Sequence, residues 1–151
     1  MWFVAFAFTV GTVVQFGDVL PLYEVSGKVT LNKKAIEWGE DGELVVVFEP
    51  LSEKFFNLDK TDEGKLIRTK TLFLASNRTD RQTYRIAVPR GKFQVGVYII
   101  DLEFNPDANW PSGDRLRRAF RSDRSGLSVE VNRPRQEFNI DIDQSKLKMK
   151  R

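Results

Sequence analysis

From Tyr23 onward apolar and polar side chains alternate, and this period of two constrains the fold more than any other feature of the 151-residue chain. Val25, Gly27, Val29 and Leu31 fall on one side of a first strand, with Glu24, Ser26, Lys28 and Thr30 on the other. Asn32-Lys33-Lys34 reads as a turn, and the β-rich run Glu43–Glu49 as a second strand closed by Pro50. A third strand is expected over Leu66–Leu74. Tyr84, Ile86 and Val88 form the inward face of a fourth, Pro89–Lys92 a turn, and Phe93, Val95, Val97 and Ile99 the inward face of a fifth. Leu127, Val129 and Val131 then alternate, Arg133-Pro134 turns, and Phe138, Ile140 and Ile142 close the pattern. Strands with one apolar face each bury it by packing two sheets together. The expectation is an all-β, seven-stranded antiparallel two-sheet sandwich. Its core is expected to hold Val29, Leu31, Val46, Phe48, Ile86, Phe93, Val95, Val97, Val129, Phe138 and Ile140. One short helix is expected in a long loop, Ser112–Ser122, with Ser112 as its cap and Leu116, Ala119 and Phe120 on one face.

The chain divides into residues 1–21, an apolar export signal or membrane-anchor segment, the sandwich over 22–143, and a basic tail over 144–151. Met1–Phe16 carries no charged side chain and would reach roughly 22 Å as a helix, short of a bilayer core of about 30 Å. The length suits the apolar core of a secretory signal, although no Lys or Arg follows Met1 and no small-x-small site lies between Thr12 and Leu22. An N-terminal strand is the competing reading, since Val, Phe and Thr favour strands too. Net charge is +3, unevenly spread: residues 1–64 hold 5 basic and 11 acidic side chains, residues 65–151 hold 19 and 10. One acidic and one basic face account for that split, and a basic half can also meet phosphate or anionic lipid.

V25-S-G-K-V-T-L31, a short turn and the Val-rich strand V45-V-V-F-E-P50 resemble the opening of carboxypeptidase-regulatory-like domains. T79-D80 before Y84-R-I86, the turn P89-R-G91-K-F93, and S125-G-L-S-V-E-V131 ahead of E137-F-N-I-D-I142 agree with it over roughly Leu22–Asp143. The resemblance implies a transthyretin-like (prealbumin-like) seven-stranded sandwich, as in small exported bacterial proteins made mainly of this domain. Lys33 and Ala35 replace the Gly and Pro usual in the first turn, and Glu37–Gly42 looks inserted. No cysteine precedes Leu20, so a lipid anchor is not implied. The enzyme branch of this fold, the hydroxyisourate hydrolases, uses histidines, an arginine and a characteristic C-terminal peptide. Here there is no histidine and the tail reads K-L-K-M-K-R.

The absence of both His and Cys removes the side chains on which most transition-metal sites and Ser–His or Cys–His nucleophiles depend. Asp101, Glu103, Asp107 and Asp114 are weak calcium candidates: oxygen ligands recur at every second place, but Ala108 and Asp114 stand where an EF-hand counted from Glu103 needs Gly and Glu. Asp141 and Asp143 read as exposed, solvated neighbours. Arg115, Arg117, Arg118, Arg121 and Arg124 form the densest basic cluster, and Trp110, Arg115 and Arg118 are the candidates for gripping an anion. No nucleic-acid-binding motif accompanies them. The functional expectation is a non-enzymatic exported module, periplasmic or at the cell surface, with a binding or structural role at the envelope. It needs no cofactor, it meets an envelope protein or polysaccharide and no nucleic acid, and its first segment associates with the membrane. Loops 50–65 and 101–125 are the expected contact surfaces. The alternatives are an anionic-polymer or nucleic-acid binder acting through Arg115–Arg124, and a transthyretin-like hydrolase.

Overall fold

In the computed structural model, residues 21–60, 63–64, 66–101, 114–116, 118–143 and 145 are described, with side chains described outside 56–60 and 66–69. Residues 1–20 of the expected export segment, the basic tail from 146, Glu103, Asp107, Trp110, Ser112 and Arg117 lie outside the described residues. The strands are β1 (Leu22–Leu31), β2 (Gly42–Pro50), β3 (Phe56–Lys60), β4 (Leu66–Lys70), β5 (Phe73–Asn77), β6 (Thr83–Pro89), β7 (Gly91–Asp101), β8 (Leu127–Val131), β9 (Arg135–Glu137) and β10 (Ile140–Ile142). A 3-10 turn, Glu53–Phe55, precedes β3.

One sheet is built on β1, which pairs antiparallel with β6 and, along its other edge, parallel with β9 and then β10. The second has the antiparallel order β5-β2-β7-β8, and β3 and β4 form a separate two-stranded ribbon. The chain is all-β, with two mostly antiparallel sheets in a sandwich-like arrangement. Val25, Val29, Ile86, Val88 and Ile140 from the first sheet share one core with Leu44, Val46, Phe48, Phe93, Val95 and Val97 from the second. At its centre Phe48 and Phe73 both meet Phe93 edge-on, at ring-centroid distances of 5.9 and 6.0 Å. Nine of the eleven expected core residues are buried. Leu31 and Phe138 are only partly buried, packed against the rim of the core.

Four further expectations are corrected. The described residues hold ten strands where seven were expected, two of them, β3 and β4, lying outside the two sheets. The expected strand Leu66–Leu74 is two strands: Thr71 and Leu72 interrupt it, β4 pairs with β3, and β5 pairs with β2. The sheets are not wholly antiparallel, because β9 and β10 run alongside β1 in its own direction. No α-helix occurs among the described residues, including those between 114 and 122. The cause lies in β7, whose pairing with β8 stops at Val95↔Leu127 and leaves the backbone beyond it in need of partners. Val97 N–H donates to Phe120 O at 2.8 Å, and Arg115 N–H to Ile99 O at 2.9 Å. Leu116 and Phe120 enter the core from this edge, and Arg118 turns into the left-handed region at φ 59°. Edge pairing of β7 thus takes the place of helix propagation.

Two ends of the sandwich matter below. β1 starts, β2 ends, β6 ends and β7 starts at the lower end, where the β7–β8 pair Gly91↔Val131 also lies. The Asn32-Lys33 turn, Gly42, Thr83 and Asp101 mark the upper end.

Candidate binding groove

Of the residues singled out for calcium and anion binding, Asp101, Asp114 and Arg115 are bound into the protein's own structure. Asp114 is buried, and its Oδ1 accepts the Ile99 and Leu116 N–H groups at 3.0 Å each. Its Oδ2 accepts the Arg118 N–H at 2.8 Å. Burial pushes the Asp114 carboxyl above the ordinary range, even though these donors pull it down. Asp101 is also buried; it accepts the Gly39 N–H at 3.3 Å and lies 3.7 Å from Arg115 Nη1. Among the described residues no group of three or more acidic side chains is placed to hold a metal ion. Arg115 also donates to the Glu37 carbonyl. Arg121 and Arg124 both turn toward Asp123, at 3.1 and 4.0 Å, while Arg118 is exposed. Of the described cluster, Arg115 pairs with Asp101, Arg121 and Arg124 share the one Asp123 carboxylate, and Arg118 has no ion pair among the described residues.

Asp141 is exposed, as expected, and it also anchors a turn. It accepts the Thr30 hydroxyl and the Lys33 N–H, both at 2.7 Å. Asn32 and Lys33 have φ of 51° and 62°, a conformation that side chains other than Gly adopt at a cost. The Asp141 carboxylate holds that turn closed. The neighbouring upper turn is held by Asp80, which accepts the Thr83 hydroxyl at 2.5 Å and the Gln82 and Thr83 N–H groups at 3.0 Å. These bonds lower its carboxyl to about 2.

An open groove of about 490 Å³ lies over the first sheet. It forms where the β9–β10 strand breaks. At the break Phe138 N–H donates to Ser26 O at 2.9 Å, and the Phe138 carbonyl turns inward to accept the Tyr84 hydroxyl at 2.5 Å. Only Gly27 permits this approach, since a Cβ there would lie 2.0 Å from that carbonyl oxygen. Burial pushes the Tyr84 hydroxyl well above its usual range, so it stays a donor.

Register sets the groove's chemistry. Ser26 of β1 faces Arg85 of β6, and Lys28 faces Thr83, so these four side chains share one sheet face. Glu137 and Asn139 line one side, and Ser76 and Asn77 of β5 the other. Asn139 is committed, accepting the Lys28 N–H at 2.8 Å and donating to Glu137 at 2.5 Å. Arg85 has only a long approach to Glu24, at 3.9 Å. The Ser26 hydroxyl and the Lys28 ammonium make no hydrogen bond or ion pair among the described residues. The groove therefore offers free hydroxyl and ammonium donors and a guanidinium loosely paired with Glu24, beside a carboxylate and amides. None of these residues stood out in the sequence: the polar members of β1 and β6 read simply as the wet side of a sheet. Gly27, opposite the strand break, was the only local signal. Compared with known proteins, the chain matches no protein-family model, no curated protein and no solved structure.

Proposed function

We propose that the chain is a non-enzymatic binding module of the cell envelope, exported and held at a membrane by its apolar first segment, which binds a hydroxyl-rich ligand such as a polysaccharide in the groove over β1 and β6. The observation that carries this reading is the groove itself, with unpartnered Ser26 and Lys28 donors beside Arg85. Sugars present many hydroxyl groups, each both donor and acceptor, and match a wall of mixed donors, amides and one carboxylate. Export rests on the charge-free run Met1–Phe16. A transthyretin-like fold of the carboxypeptidase-regulatory-like kind is part of the proposal. It draws support from the resembling stretches and from a strand tally. With β9 and β10 taken as one interrupted strand and the β3–β4 ribbon set aside, the two sheets hold seven strands. The lack of histidine and cysteine supports a role without catalysis. Internal pairing of Arg115, Arg121 and Arg124 weighs against the anionic-polymer alternative on that face.

Titration of isotope-labelled protein with soluble cell-wall glycan fragments tests the groove. Amide shifts should concentrate at Ser26, Lys28, Thr83, Arg85 and Asn139, and Lys28→Ala together with Arg85→Ala should weaken binding at least tenfold. Shifts confined to residues 114–125, or none at millimolar glycan, would refute the groove as the site.

A further inference from the structure

We infer that the lower end of the sandwich is a membrane-facing surface that docks on anionic lipid. The inference rests on the tethering reading above and adds which face of the folded domain meets the bilayer. Four separate turns and strand ends converge there, and each brings a cation. Arg90 lies in the β6–β7 turn, Lys92 at the start of β7, Arg133 in the turn after β8, and Arg135 at the start of β9. All four are exposed, and none has an ion-pair partner among the described residues. Lys54, in the 3-10 turn at the same end, lies over the Phe55 ring at 4.9 Å. Against these five cations stand three carboxylates: Glu53, Glu130, whose register partner is Lys92, and Glu24, whose register partner is Arg135 and which also lies 3.9 Å from Arg85.

The same end carries two of the largest exposed apolar side chains of the described structure. Leu22, at the start of β1, is 62% exposed and Leu51, after β2, is 48% exposed. Leu22↔Pro89 and the Leu51 N–H to Lys92 O bond place both beside the cations. Leucines ringed by unpaired Lys and Arg are the composition that favours the headgroup boundary of an anionic leaflet: the apolar groups enter it and the cations meet its charge. Chain continuity gives the same orientation. β1 begins at this end, so the charge-free run Met1–Phe16 joins the domain only a few residues before Leu22. A domain held by that run has its lower end nearest the bilayer. Lys28 and Thr83 of the groove lie toward the opposite end of their strands, which leaves the groove open to the aqueous side.

The test uses the full chain, whose lack of cysteine allows one label to be placed at will. Leu51→Cys at the lower end and Asp41→Cys at the upper end each carry a polarity-sensitive fluorophore. They are mixed with vesicles of equal parts phosphatidylglycerol and phosphatidylcholine, or of phosphatidylcholine alone, and flotation is read in parallel. The expected result is that the Leu51→Cys label passes into an apolar environment on the anionic vesicles while the Asp41→Cys label stays in water. Each Lys or Arg near an anionic surface strengthens partitioning about fivefold, so Arg90→Gln, Lys92→Gln, Arg133→Gln and Arg135→Gln together should raise the lipid needed for that transfer by at least about a hundredfold. Added salt should act in the same direction. Flotation with the Leu51→Cys label still in water, or a transfer equal on both vesicles and indifferent to the four substitutions, would overturn the inference and leave tethering intact. Failure to float on either vesicle would overturn tethering itself, and the inference with it. Loss of heparin retention in the fourfold variant with vesicle transfer unchanged would assign the cations to a soluble polyanion and overturn the lipid reading.

Discussion

A methyl group at Gly27 should disrupt the domain more than its size suggests, because it meets backbone on an adjoining strand. In Gly27→Ala the new Cβ would lie 2.0 Å from the Phe138 carbonyl oxygen, 2.7 Å from its carbonyl carbon and 3.0 Å from Tyr84 Cε1. Ordinary contact needs the β9–β10 break to withdraw by roughly 1 Å or more. That movement strains the Phe138 N–H to Ser26 O bond and the Tyr84 hydroxyl to Phe138 O bond together. Two hydrogen bonds at about 1 kcal/mol each, plus overpacking of about 1–3 kcal/mol, give a gross loss of about 3–5 kcal/mol. Restricting the unfolded chain returns about 0.4–1 kcal/mol, leaving a net cost of about 2–4 kcal/mol. Urea unfolding followed by tryptophan fluorescence and circular dichroism measures it, and Tm should fall by roughly 6–12 °C. Tyr84→Phe alone should cost about 1–2 kcal/mol. Both changes act through the same carbonyl, so the double variant should lose less than the sum of the two. A Gly27→Ala protein within 0.5 kcal/mol of the parent, or strict additivity with Tyr84→Phe, would refute the proposed lock between β1, β6 and the strand break.

Phe93→Ala should cost about 3–5 kcal/mol in the same unfolding experiment, because the ring is fully buried between Phe48 and Phe73; a loss below 1 kcal/mol would contradict that placement. Lys33→Gly should raise stability by up to about 1 kcal/mol, since glycine adopts φ 62° without strain, and an unchanged or lower midpoint would count against that turn geometry. Asp80 should contribute an acid-labile share of stability. Its carboxyl is lowered from 3.8 to about 2 by the Thr83 hydroxyl and then by backbone N–H groups, so the share is complete above about pH 4 and is lost as pH falls through 3.8 toward 2. Asp80 is exposed, and solvent screening reduces the effect to about 1 kcal/mol. Asp80→Asn should lose that amount at neutral pH and flatten the acid limb of a stability–pH profile, whereas an unaltered limb would rule out Asp80 as its source.

The strands that alternate cleanly were legible because each carries its own evidence. Val25 and Val29, Tyr84 to Val88, and Phe93 to Ile99 each declare one buried face, and the structure buries them. What a strand pairs with is not written in its own pattern. Leu66–Leu74 reads as one strand because nothing at Thr71-Leu72 marks a change of partner from β3 to β2. Phe138, Ile140 and Ile142 alternate alike whether they run parallel or antiparallel to β1. Leu116, Ala119 and Phe120 share a helical face, but their backbone is claimed by the free edge of β7, a demand that arises only in three dimensions. The groove was hidden for a related reason. Ser26, Lys28, Thr83 and Arg85 are polar alternates, and only the inward turn of the Phe138 carbonyl opposite Gly27 distinguishes their neighbourhood from an ordinary wet face.

The most direct test of an exported, membrane-held module is where the folded domain resides in a bacterial cell. The full chain can be joined at its C-terminus to alkaline phosphatase, which needs disulfides and so gains activity only outside the reducing cytoplasm. A parallel fusion to a fluorescent protein that matures only in the cytoplasm reports the opposite placement. Our account predicts phosphatase activity that sediments with the membrane fraction, and a dark fluorescent fusion. Inactive phosphatase with a bright fusion in the soluble fraction would contradict it.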